Sequence, residues 1–119
     1  MVFTKVNFSK NNIGTNEKVQ INCTVKNTGK VLGDEVVQLY IRDELASVSR
    51  PIKELKGFQR IALNPGEQKS LTFELGPKEF TMLNKEMKRV VEPGDFRIMI
   101  GASSKDIRLR GILTVEEYE

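Results

Sequence analysis

The sequence contains no histidine and no tryptophan, and among its 119 residues there is one cysteine, Cys23. Without histidine, the chain lacks the commonest general base and the commonest metal ligand. A nucleophile triad built on histidine is therefore excluded, and so are the usual zinc sites, which need several cysteines or histidines. A single cysteine also excludes an internal disulfide bond. We therefore expect no metal and no cofactor, and we expect Cys23 to be a small buried apolar residue.

Two pairs of adjacent carboxylates, Asp34-Glu35 and Asp43-Glu44, remain as candidates for acid-base chemistry. A glycosidase places two carboxyl groups on either side of the scissile bond in a cleft. Neighbouring carboxylates at the ends of strands in a small domain are more typical of a solvated surface. The chain by itself is therefore predicted not to be an enzyme.

Length and charge narrow the range of partners. The 119 residues, of which 39% are hydrophobic and 29% charged, suit one folded domain, so we expect residues 1–119 to form a single domain with its core at about 15–115. The net charge of +3 is spread along the chain, whereas nucleic-acid binding is typical of a basic stripe with interleaved aromatics. No apolar run approaches the roughly 18 residues of a membrane helix. We expect neither nucleic acid nor membrane as a partner, and the sequence does not fix the compartment.

Apolar and polar residues alternate along most of the chain, which is the pattern of strands with one buried face. Val19, Ile21, Cys23 and Val25 give the strongest example. About seven short strands at roughly ten-residue spacing predict an all-β, immunoglobulin-like sandwich. The clearest strands are expected at about 17–27, 35–42, 55–63, 68–75, 96–100 and 107–115, and residues 89–92 lead into a turn at Pro93-Gly94-Asp95.

Some local features carry predictions of their own. Phe58 and Ile61 are assigned to the core of the third strand. Asn64-Pro65-Gly66-Glu67 is typical of a tight type II turn, because proline presets one dihedral angle and glycine permits a positive φ. The segment Lys78 to Asn84 is compatible with a short helical turn.

Taken in order, several segments resemble the fibronectin type III-like domain at the carboxyl end of family 3 glycoside hydrolases, the β-glucosidase and β-xylosidase group. The similar segments are Gly33–Ile41, Arg50–Phe58, Leu63–Glu67, Val91–Phe96, Ile100–Ser104 and Asp106–Leu109. The resemblance implies an enzyme that hydrolyses a terminal β-linked sugar with retention, using an amino-terminal barrel and a following α/β domain, both absent from this chain. The partners it implies are those catalytic domains of the same parent polypeptide, against which this piece would pack as a stabilising, non-catalytic accessory domain.

Candidate interdomain docking residues come from two places. Val36 and Tyr40 are large apolar residues on the polar-phase face of their strand, which indicates that this face is partly covered as well. Ser47, Arg50 and Pro51 lie in a long loop, where an arginine can dock on a neighbouring domain. If Val36 and Tyr40 face a partner, the isolated domain is expected to be a monomer or to self-associate weakly.

An independent carbohydrate-binding or adhesion module with the same sandwich is the alternative, because this fold hosts many functions. Titration with soluble sugars and polysaccharides distinguishes the two.

Overall fold

The computed structural model describes residues 1–43, 53–80, 82–83, 89–90 and 94–116, which form strands without any helix. The strands are β1 (Val2–Phe8), β2 (Asn12–Gly14), β3 (Val19–Lys26), β4 (Gly33–Asp43), β5 (Glu54–Leu63), β6 (Gln68–Leu75), β7 (Met82–Leu83), β8 (Arg89–Val90), β9 (Gly94–Ser103) and β10 (Asp106–Glu116). A three-stranded sheet has the order β1-β3-β6, a five-stranded sheet the order β2-β10-β9-β4-β5, and β7 pairs with β8.

The two larger sheets pack face to face and share one core, which confirms the predicted sandwich. The three-stranded sheet contributes the inward row of β3, where Val19, Ile21, Cys23 and Val25 are almost completely buried. The five-stranded sheet contributes Val37, Leu39 and Ile41 from β4, together with Phe96, Ile98 and Ile100 from β9. Burial of each such side chain contributes roughly 1.5–3 kcal/mol, so these alternating rows provide most of the stability of the fold.

The core extends closer to the amino terminus than the predicted 15–115, because β1 and β2 bury Phe3 and Ile13. Their pattern was hidden by a bulge in β1. The register with β3 shifts between Thr4 and Asn7, and Lys5 has a φ of 55°. Since an extra residue reverses the alternation of side chains, the apolar residues of β1 do not follow a period of two.

The assignment of Phe58 to the core is wrong. Phe58 is 66% exposed, whereas Ile61 is buried as predicted. The two residues are three positions apart, and in a regular strand an odd spacing places them on opposite faces. The core position opposite Leu39 belongs instead to Gly57, which leaves room for the ring of Phe73 on β6.

The turn between β5 and β6 has the predicted form. The amide of Glu67 donates to the carbonyl of Asn64 at 3.0 Å, and Gly66 has a φ of 79°. A positive φ at the third residue, after a proline, is the signature of a type II turn. Residues 77–80 also form a turn, in which the amide of Phe80 donates to the carbonyl of Gly76, and this turn places Phe80 in the core at 5.1 Å from Phe96, measured between ring centroids.

Burial raises the pKa of the Cys23 thiol from 9.0 to about 11. Between these pH values the unfolded chain loses the thiol proton and the folded chain keeps it, so stability falls as the pH rises. We expect the free energy of unfolding in urea to decrease by about 2–3 kcal/mol more in the natural chain than in Cys23→Ala between about pH 8 and pH 11. Equal decreases in the two chains would contradict a buried thiol.

Candidate docking surface

The outer face of the five-stranded sheet is directed away from the sandwich core. Among the sheet faces that the structure describes, it has the largest number of exposed apolar side chains. On β4, the residues between the core positions point outward. Directly opposite residues of an antiparallel pair share a face, and Phe58 lies opposite Gln38, as Leu55 lies opposite Tyr40. Phe58 is 66% exposed, Leu55 49% and Val36 36%. These three residues are called the apolar patch below.

A bulge in β5 is what brings Leu55 to this face. Leu39 pairs with Gly57 and Tyr40 pairs with Leu55, so Lys56 is an extra residue between the two pairs. Leu55 and Phe58 are three positions apart and in a regular strand would point to opposite faces. The bulge places both on the outer face. The Lys56 ammonium lies 3.3 Å from the Glu54 carboxylate, and its side chain is largely covered.

Tyr40, predicted as a docking residue together with Val36, lies on the same face but is only 9% exposed. Its hydroxyl donates to the amide oxygen of Gln38, and the Lys53 ammonium lies 5.9 Å from the centre of its ring. Met99 on β9 is its cross-strand neighbour and is buried too. Tyr40 is therefore a buried neighbour of the apolar patch, whereas Val36 belongs to the patch itself.

The described part of the outer face carries a small excess of arginine over carboxylate side chains. Arg42 lies opposite Arg97, and Arg110 lies opposite Met99. Arg60 is opposite Val36, and its guanidinium is 3.9 Å from the Asp34 carboxylate with both side chains exposed. A pair of this kind contributes little to stability. These four arginines outnumber the carboxylates that the same strands direct to this face, which are Asp34, Asp95 and Glu116.

The candidate carboxylate pairs do not form an acid-base site in the described part of the chain. Asp34 and Glu35 are consecutive on β4, so their side chains point to opposite faces of the sheet. Asp43 ends the same strand, and Glu44 lies outside the described residues. Asp106 has its pKa lowered by the hydrogen bonds from the Arg108 guanidinium, at 2.9 and 3.2 Å, and its side chain is 49% exposed. No group of three potential metal ligands occurs among the described residues, and no helix there could span a membrane.

A second exposed apolar feature lies at one end of the sandwich and was not anticipated. Val31 and Leu32, called the apolar tip below, are 74% and 61% exposed. The buried Asn27 amide holds this loop by donating to the carbonyls of Val31, at 2.9 Å, and Leu63, at 2.8 Å. Its side-chain oxygen accepts from the amide of Gly29 at 2.9 Å. An asparagine before a threonine-glycine pair is the local signal of such a loop.

The remaining docking candidates, Ser47, Arg50 and Pro51, lie outside the described residues. Among the described residues, the candidate docking surface consists of the apolar patch and the arginines around it.

These features define the class of the protein as an immunoglobulin-like β-sandwich with one exposed apolar sheet face. A family model, the fibronectin type III-like domain, matches residues 35–104, and the chain belongs to this family. The resemblance noted in the sequence to the domain of family 3 glycoside hydrolases is confirmed.

Three relatives illustrate the match. A β-xylosidase from Formosa agariphila is 53% identical over 105 residues, which are 87% of this chain and 14% of that protein. The solved structure of a β-glucosidase from Erythrobacter marinus is 39% identical, with a TM-score of 0.86 over 96% of this chain and 15% of that one. The GH3 β-glucosidase of Bifidobacterium adolescentis is 34% identical, with a TM-score of 0.83 over 96% and 17%. The chain thus spans about one seventh of the length of the relatives it matches.

Proposed function

We propose that this domain is a non-catalytic accessory part of a family 3 glycoside hydrolase of the β-glucosidase or β-xylosidase type, and that it packs against the catalytic domains and stabilises them. The observation that carries the proposal is the match of nearly the whole chain to one seventh of enzymes with these names. An enzyme of this class needs two positioned carboxyl groups. In this proposal those carboxyl groups come from the rest of the polypeptide, and the two candidate pairs on this chain, Asp34-Glu35 and Asp43-Glu44, take no part in the chemistry.

The size of the natural polypeptide tests this function first. An immunoblot of source cells with an antibody against this domain should show a band roughly seven times the 13.5 kDa of this chain. The purified 119-residue chain should not hydrolyse an aryl β-glucoside. A native band near 13.5 kDa, or hydrolysis by the chain alone, would overturn the proposal.

The alternative of an independent carbohydrate-binding module is tested by titrating the chain with soluble sugars and polysaccharides. Stacking on sugars requires exposed aromatic rings, and on the outer face Phe58 alone provides one among the described residues. We expect no measurable binding. Saturable binding that is lost in Phe58→Ala would favour the module.

A further inference from the structure

We propose that the apolar patch of Val36, Leu55 and Phe58 is the surface through which this domain docks onto the catalytic part of its own polypeptide. The assignment rests on the proposed function. It adds to that function which face makes the contact and what kind of surface the contact fits. The occupant is a patch of apolar side chains bordered by carboxylates.

The first argument is that the patch lies outside the core of the domain. Phe58 and Leu55 lie on β5, at the edge of the five-stranded sheet, and their side chains are 66% and 49% exposed. The inward positions of the same strand, including Ile61 and Leu63, already complete the core. A cluster of exposed aromatic and aliphatic side chains on one sheet face is typical of an interaction site.

The second argument concerns the local backbone. The bulge at Lys56 places Leu55 in the patch rather than in the core. Bulges frequently re-aim a side chain at a functional position. Tyr40 and Met99 lie on the same face beside the patch and are buried, so the patch borders a packed surface and little ordering is required when it docks.

The third argument identifies the occupant. The chain spans 14–17% of the relatives it matches, so most of such a polypeptide lies outside this domain and is tethered to it. A tethered surface has a high effective concentration, and a modest apolar area is then enough for stable contact. Arg60, which lies 3.9 Å from the Asp34 carboxylate, borders the patch, and Arg42, Arg97 and Arg110 add positive charge along the sheet. Complementarity therefore favours carboxylates around the facing apolar surface.

Two matched double variants test the assignment. Leu55→Gln/Phe58→Gln removes two exposed apolar residues from the patch, and Val31→Gln/Leu32→Gln removes two from the apolar tip. In the 119-residue chain, each pair should change the Tm by no more than about 3 °C, because all four side chains are at least about half exposed. In the natural, longer polypeptide, contact with the catalytic part should raise the Tm of this domain above that of the chain alone.

In the longer polypeptide, we expect the patch variant to lower the Tm of this domain by about 5 °C or more, towards that of the chain alone, and the tip variant to leave it unchanged. An unchanged Tm in the patch variant, or an equal fall in the tip variant, would overturn the assignment while leaving the proposed function intact. If the patch variant abolished self-association of the polypeptide without changing the Tm of this domain, the occupant would be a second copy of the chain, and the assignment would also be overturned. A native polypeptide of 13.5 kDa would overturn both proposals.

Discussion

Phe96→Ala is expected to destabilise this domain by about 3–5 kcal/mol, measured as the free energy of unfolding in urea. The Phe96 side chain is fully buried between the sheets and contacts the Phe80 ring edge to face, with the two ring planes at 67°. Its removal leaves a cavity that neighbouring side chains on paired strands fill only in part. Because Phe96 lies at the end of β9 farthest from the β9–β10 turn, the cavity also weakens the packing against residues 77–80.

Phe58→Ala is the matched control, since it removes the same atoms from an exposed position. The expected loss is within about 1 kcal/mol. A large loss in Phe58→Ala, or a small one in Phe96→Ala, would contradict the assignment of the inner and outer faces of the five-stranded sheet.

Gly101→Ala is expected to destabilise the domain by about 3 kcal/mol or more, for a reason that concerns the backbone. A Cβ added at Gly101 would lie 2.1 Å from the carbonyl oxygen of Asp106 and 2.8 Å from the Cα of Ile107. These are backbone atoms of β10, so no change of rotamer relieves the overlap. The two strands are irregularly paired here, with register shifts on either side of Ile107, and the absence of a side chain at Gly101 allows their close approach.

Gly66→Ala is the control for the general effect of replacing a glycine. Gly66 has a φ of 79° and has no atom within 4 Å of an added Cβ. The cost is therefore that of placing alanine in the left-handed region, about 1–2 kcal/mol. The free energies of unfolding in urea of Gly101→Ala and Gly66→Ala compare the cost of a steric overlap with the cost of an unfavourable backbone conformation. Equal losses would show that β9 and β10 are farther apart than this structure places them.

Strict alternation made the central strands predictable from sequence. β3, β4, β6 and β9 have apolar residues at every second position over most of their length, and each buries that row. Where an extra residue interrupts the alternation, prediction failed. The bulge near Lys5 concealed β1. The core assignment of Phe58 failed for a different reason, because it ignored the odd spacing between Phe58 and Ile61. The outward turn of Leu55 depends on the bulge at Lys56, which appears only once the pairing with β4 is known.

The candidate docking surface was predictable in part. Val36 and Tyr40 were placed on the outer face from the phase of β4, and the structure has both on that face. The burial of Tyr40 was not predictable, because it depends on Lys53 and Met99, which come from other parts of the chain. The burial of Asn27 was not predictable either, because its side-chain amide donates to the carbonyl of Leu63, which lies 36 residues away. Contacts between distant segments leave no periodic signal in the sequence.

The most direct test of the accessory role is calorimetric unfolding of the natural polypeptide with and without this domain. We expect removal of the domain to lower the Tm of the remaining catalytic part by several degrees, because the surface that it covered becomes exposed to water. Hydrolytic activity on an aryl β-glucoside or β-xyloside, assayed well below that Tm, should be retained in the soluble fraction. An unchanged Tm after removal of the domain would contradict a stabilising role.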